Sequence, residues 1–357
     1  MLFKNANIFV GGKFRHGSFR AENGRFTEIL TTVPAEGGID LNDQYVIPGL
    51  VDVHNHGNSG ADFSDGDYDG LVKMARYLAQ NGVTSFAPAS MTLPYDVLET
   101  AYKTAVRLRN EQPEGCARLM GIQMEGPFFS EKKKGAQNGA YLREPDFAAF
   151  KRLYDVSEGL IRIADVAAEL PGAVEFTEKA SKLCTVSIAH TDCTYEEAGA
   201  VFDAGASHLT HLYNAMPGIH HRKPGPIGAG SERENVVAEL ICDGQHIHPS
   251  AVRMSFRLFP GQDLPRFRCA ALLRHAGRSV HARRAGRVPV WRRSKAGRRH
   301  AGRFGHESLR LYAQGGRIWH SERASHSLRD ADPCEGAWLR ERDRLHRARK
   351  TRGLRRV

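Results

Sequence analysis

Long apolar runs are missing from this chain of 357 residues: no stretch of about 18 hydrophobic residues occurs, so no membrane-spanning helix is expected. The start, MLFKNANIFVGG, has one lysine and a short alternating apolar stretch. It lacks the apolar core of a secretory leader and reads as a first strand. Cysteine is sparse and scattered, at positions 116, 184, 193, 242, 269 and 334, with no C-x-x-C pair. The expectation is reduced thiols in a cytoplasmic protein.

Two residue types nearly vanish after residue 260. Of the 26 basic residues in 261–357, 24 are arginine, and Ile318 is the only isoleucine there. The charge splits at the same place. Residues 1–260 carry 25 Lys and Arg against 32 Asp and Glu, whereas residues 261–357 carry 26 against 8. A basic tail can be a nucleic-acid arm, but such arms usually mix lysine with arginine. This one also holds Trp291, Trp319, Trp338 and seven histidines, so nucleic acid is not the expected partner.

What is present before residue 260 is ordinary globular patterning. Residues 1–48 alternate short apolar runs with GG and NG turn signals, which predicts a small β-meander. From residue 49 the runs GLVDVHNH, TSFAPAS, LMGIQMEGP, LIRIADVAAE, CTVSIAHTD, SHLTHLYNAM and VVAELICDGQH recur, with helix-spaced stretches such as DYDGLVKMARYLAQNG between them. Alternating strands and helices imply a parallel sheet. Seven strands are one short of a (β/α)8 barrel, and most of them end in His, Glu, Asp or Asn, where barrels gather their chemistry.

His54 and His56 are two apart on a strand and so share a face. Glu125, His190 and His211 end three further strands. Each alone reads as a solvated strand end or a structural histidine, but together they form an N and O donor set suited to Zn²⁺ or Fe²⁺. A metal in such a site lowers the pKa of bound water to about 7 and polarises a carbonyl, which is equipment for hydrolysis.

The segments PGLVDVHNHG, QMEGPF, KKKGAQN, AHTDCTYEEA, THLYNAMPGIHHRKPG and CDGQHIHP resemble the N-acetylglucosamine-6-phosphate deacetylase family of amidohydrolases, over residues 1 to about 260. The resemblance implies an α/β fold: a distorted (β/α)8 TIM barrel with a small β-sandwich built from both chain ends, usually as a homodimer. It implies Glu125, His190 and His211 as ligands of a main ion and His54 and His56 as ligands of a second, so one or two ions in all. It implies sugar contacts from Ala136, Gln137, Asn214 and Ala215, and a grip on the 6-phosphate from Arg222 and His246, with Arg222 coming from the partner subunit. An amino-sugar phosphate would be the substrate, and its acetamide the bond cleaved. Readings outside this are a non-catalytic remnant of such an enzyme, or a related amidohydrolase acting on another N-acyl substrate.

The family pattern also requires an Asp at the end of an eighth barrel strand, as general acid and base. After RMSFRLFPGQ this chain gives DLPRFRCAALLRHAGRSV, with no Asp in that pattern. Permitted codons for residues 263–280, read one nucleotide later, spell ICLDFDALRCCGMPDGQ. The same offset turns residues 299–316 into GTLAGSATNLYDCMRRA, which resembles the family's last barrel helix. The expectation is that residues from about 263 onward are read in a shifted frame. Three parts follow: a sandwich portion at 1–48, barrel strands one to seven at 49–260, and an Arg-rich disordered tail at 261–357. The last barrel strand and the C-terminal sandwich strands are expected to be missing, and no catalytic residue is identified.

Overall fold

The computed structural model describes residues 1–242 and 244–259, together with the backbone of 267–269. The described chain divides between Gly49 and Leu50 into two compact units.

The first unit is a four-stranded sheet of β1 (Leu2–Val10), β2 (Lys13–Glu22), β3 (Arg25–Leu30) and β4 (Ile39–Val46), in the order β3-β2-β1-β4. The first three strands form an antiparallel meander, and β4 returns to lie parallel to β1. Both hairpins turn where the sequence places GG and NG. Gly11 and Gly12 have φ of 59° and 77°, and Asn23 and Gly24 have φ of 50° and 72°. Paired positive φ values give the turn twist that matches right-handed strands. Ala6, Ile8 and Phe19 form its buried centre, with Phe3, Leu41 and Val46 against them.

The second unit is built on parallel strands. It contains β5 (Leu50–Asn55), a minimal hairpin of β6 (Gly57–Asn58) and β7 (Ala61–Asp62), then β8 (Val83–Pro88), β9 (Arg118–Leu119), β10 (Ile122–Met124), β11 (Ile161–Val166), β12 (Thr185–Ile188), β13 (His208–Leu209), β14 (Val237–Leu240) and β15 (Phe267–Cys269). One parallel sheet runs β5-β8-β9, and a second runs from β10 in sequence order to β15. A parallel bridge between Ala89 and Gln123 joins them. With β9 and β10 as two halves of one strand, these are the seven predicted strands in their predicted order.

An eighth position is also filled, by β15 paired parallel to β14. This three-residue pairing does not supply the family's last barrel strand with its terminal Asp, whose absence was expected. A sheet edge offers only backbone N–H and C=O groups, so a short segment can add to it whatever its side chains. Among the described residues β15 and β5 do not pair with each other, so no closed ring of strands is seen. The expected shifted-frame tail and the absent sandwich strands otherwise lie outside the described residues.

The helices α1 (Tyr68–Gln80), α2 (Tyr95–Glu111), α3 (Phe147–Val156), α4 (Ala173–Ala180), α5 (Tyr195–Asp203), α6 (Gly225–Ser231) and α7 (Pro249–Leu258) connect the strands. Their apolar positions recur at helical spacing. In α2, Leu98, Ala101, Tyr102, Ala105 and Leu108 are buried, one stripe facing the sheet. Start signals lie in the sequence: Asp67 caps α1 by accepting from the N–H groups of Asp69 and Gly70, and Thr194 with Glu197 forms a capping box on α5.

Gly126, directly after Glu125, has φ of 95°, and a Cβ there would lie 2.1 Å from Thr92 Oγ1. Only glycine fits both the backbone and the space. Gly126→Ala should therefore destabilise the unit by about 1–3 kcal/mol, seen as a lowered Tm in calorimetry.

Candidate metal centre

His54 is the penultimate residue of β5, and His56 follows the strand directly. Glu125 follows β10 directly; His190 and His211 stand two residues after β12 and β13. All five therefore occupy C-terminal strand ends, on the face where barrels assemble their sites. His190 and His211 have φ of 44° and 32°. The left-handed region is costly for a side-chain-bearing residue and is retained where surrounding structure imposes it.

The Glu125 carboxylate is the meeting point. Its Oε1 lies 3.2 Å from His190 Nε2, 3.1 Å from His211 Nε2 and 3.5 Å from His54 Nε2, and its Oε2 lies 2.9 Å from His56 Nε2. The imidazoles also approach one another: His190 and His211 by their Nε2 atoms at 3.1 Å, His54 and His56 at 3.3 Å. Two groups of three possible ligands share Glu125: His54, His56 and Glu125, and Glu125, His190 and His211. All but His56 are buried.

The outward ring nitrogens explain why the inward ones are free to bind. His54 Nδ1 faces Glu239 Oε2 at 2.8 Å, His56 Nδ1 faces the Ala89 carbonyl at 3.1 Å, and His190 Nδ1 faces the Lys133 carbonyl at 2.9 Å. These partners only accept, so each Nδ1 carries a hydrogen, and in the neutral ring the Nε2 lone pair points inward. Lone pairs turned on one another and on a carboxylate at about 3 Å repel unless a cation lies among them. The donor set and its tautomers thus fit a divalent metal.

The charges agree. Burial alone would raise the Glu125 carboxyl, yet the His56 and His54 charges and then the contacts of His190 and His211 hold it well below the carboxylate range. His54 would be lowered by burial, but Glu239 and Glu125 push it up to about 10. Burial lowers His211. An incoming ion must therefore displace a proton from His54, as metal binding to ligating histidines generally does.

Beneath the centre lies a polar layer that the sequence reading missed. Burial, then the charges of Glu125 and Glu239, raises Asp165 well above the usual range. Asp165 accepts from Gln123 Nε2 at 3.2 Å and from Thr210 Oγ1 at 3.0 Å. Asp52 is pushed up to about 6 by burial and accepts from the His54 N–H. The available signal was a charged residue inside an apolar run, as in LIRIADV and VVAELIC.

The predicted substrate residues sit differently. Gln137 is buried; its Oε1 accepts from the Thr92 N–H at 2.7 Å and its Nε2 donates to Glu125 Oε2 at 3.0 Å. Its side chain therefore orients a ligand carboxylate, and Ala136 beside it is exposed. Asn214 is half-buried and donates to the carbonyls of His211 and Leu212, each at 3.2 Å. Ala215 takes φ of 53°, with its carbonyl accepting from the Thr191 N–H. Arg222 and His246 are exposed on the stretches after β13 and β14, outside the ligand cluster.

Comparison with known proteins converges on one group. The amidohydrolase family model matches residues 45–271. An N-acetylglucosamine-6-phosphate deacetylase of Bacillus subtilis (strain 168) is 36% identical over 264 residues, covering 72% of this chain and 67% of that one. An N-acetylgalactosamine-6-phosphate deacetylase of Escherichia coli O157:H7 is 35% identical over 212 residues, covering 59% of this chain and 56% of the relative. The chain thus spans little more than half of that relative's length. Among solved structures, a mutant N-acetyl-D-glucosamine-6-phosphate deacetylase from Mycobacterium smegmatis, in complex with N-acetyl-D-glucosamine-6-phosphate, superposes with a TM-score of 0.70 at 29% identity, covering 77% of this chain and 71% of that one. No helix among the described residues is long and apolar enough to cross a membrane.

Glu125→Gln should remove the charge common to both ligand groups. Zn²⁺ content after dialysis should fall at both, by more than the roughly 10- to 100-fold typical of losing an outer partner.

Proposed function

The chain belongs to the amidohydrolase family, and from that premise we propose that its centre serves hydrolysis of the acetamide of N-acetylglucosamine 6-phosphate, giving glucosamine 6-phosphate and acetate in amino-sugar catabolism. The observation that carries this is the Glu125 carboxylate within 3.5 Å of four imidazole nitrogens at the strand ends. Zn²⁺ or Fe²⁺ fits these donors, as one ion or two; when bound, it lowers the pKa of water and polarises the acetamide carbonyl.

The chain's own residues would hold the substrate around that point. Arg222 offers a bidentate fork for a phosphate, with His246 as a second donor, and the reading places Arg222 at the partner's site in a cytoplasmic homodimer. Asn214, Ala215 and Ala136 lie on the stretches that would line the sugar. Gln137 keeps Glu125 in place through the amide orientation that the Thr92 N–H imposes.

The general acid and base is the missing part. No Asp stands in the expected pattern after residue 260, and the shifted-frame reading of residues 263–280 supplies one. The chain as written is accordingly proposed to be a poorly active form of a deacetylase. Loss of general acid–base help costs about 10²- to 10⁴-fold in rate. A shifted frame also explains a tail of arginine-rich composition.

The test is turnover of purified protein on N-acetylglucosamine 6-phosphate, N-acetylgalactosamine 6-phosphate and unphosphorylated N-acetylglucosamine, before and after the frame is restored at about codon 263. The expected result is acetate release only in the restored form and only from a phosphorylated sugar. Equal rates from both forms would overturn the need for a strand-eight Asp. Equal rates with and without phosphate would overturn the substrate class. The E. coli relative's name makes the galactosamine sugar the second substrate to assay.

A further inference from the structure

Glu239 stands inside β14 and is completely buried. A carboxylate at that depth persists only with partners that stabilise its charge. Its Oε2 faces His54 Nδ1 at 2.8 Å and accepts from the His211 backbone N–H at 3.3 Å, and its Oε1 lies 3.8 Å from His208 Nε2. Of the ligand histidines, His56 and His190 direct Nδ1 to neutral backbone carbonyls, whereas His54 directs it to a charged group.

The two ligand groups are thus supported unequally. The His190 side rests on the Lys133 carbonyl, with Glu239 reaching that side only at the His211 backbone N–H, and Gln137 holds Glu125 by Oε2, the oxygen that faces His56. The His54 side rests on one negative charge directly behind its imidazole. A carboxylate in that position fixes the ring's tautomer, makes its inward nitrogen a stronger donor, and adds attraction for a cation on the far side of the ring.

We propose that Glu239 is a positioning residue for the His54–His56–Glu125 half of the centre, fixing His54 so that this half holds its own divalent ion. The proposal rests on the metal-binding reading above and adds to it which half depends on which interior carboxylate.

Chelator-competition titration with Zn²⁺ alone, on the purified metal-stripped full chain, tests it. The wild type should take up two ions. Glu239→Gln keeps the shape and removes the charge, and should weaken one site by about 10- to 100-fold while leaving the other unchanged. Glu239→Asp keeps the charge but shortens its reach, and should weaken the same site by less. Two unchanged sites in Glu239→Gln would overturn the proposal. So would equal weakening of both, which would mark a general packing role. If Glu239→Gln lacks a folded circular-dichroism spectrum, Glu239→Asp decides by the same criteria. A wild type with one site, insensitive to His54→Ala, would overturn this role alone. A wild type taking up no Zn²⁺ would overturn the metal centre, and Glu239's role with it.

Discussion

Four imidazoles crowd one pocket, and a single carboxylate makes that arrangement possible. Glu125 lies within hydrogen-bonding or ion-pair distance of each of them. Its burial would be prohibitive without charged partners, and the inward nitrogens and the carboxylate repel one another unless a proton or a metal ion lies among them. The strands that deliver these side chains come from positions 54 to 211 along the chain, so the parallel sheet is what brings the charges together.

The support for this cluster comes from two directions. From the loop side, the Lys133 carbonyl and the Gln137 amide hold His190 and Glu125. From the sheet interior, Glu239 and Asp52 contact His54, at its ring and at its backbone N–H. Asp165, Gln123 and Thr210 continue the polar layer below. An interior so polar is unusual for a sheet with both faces covered, and each charged member is tied to another by direct contact or by the shift that its charge imposes.

Much of this was legible in the sequence. The seven parallel strands, both hairpin turns of the first sheet and the five metal-ligand candidates follow from run length, turn dipeptides and a polar residue at each run's end. Periodicity did not reveal the polar layer, because Glu239 and Asp165 sit within apolar runs, where a pattern reading assigns only the strand. Gln137 shows a different limit. The KKKGAQN motif singles out a loop, but the direction of a side chain within it depends on Thr92, 45 residues away. β15 could not be foreseen either, since its pairing uses backbone groups that every sequence possesses.

The stretch from Ser130 to Gln137 touches the centre three times. The Ser130 N–H donates to the His190 carbonyl, the Lys133 carbonyl receives the His190 ring, and the Gln137 amide reaches Glu125. Surface connections ordinarily tolerate insertions and deletions between related proteins. Here one residue gained or lost between the three anchor points would throw at least one of them out of register. This segment should therefore keep a fixed length through divergence even as its exposed Lys132 changes freely, behaving in evolution more like a strand than like an ordinary surface connection.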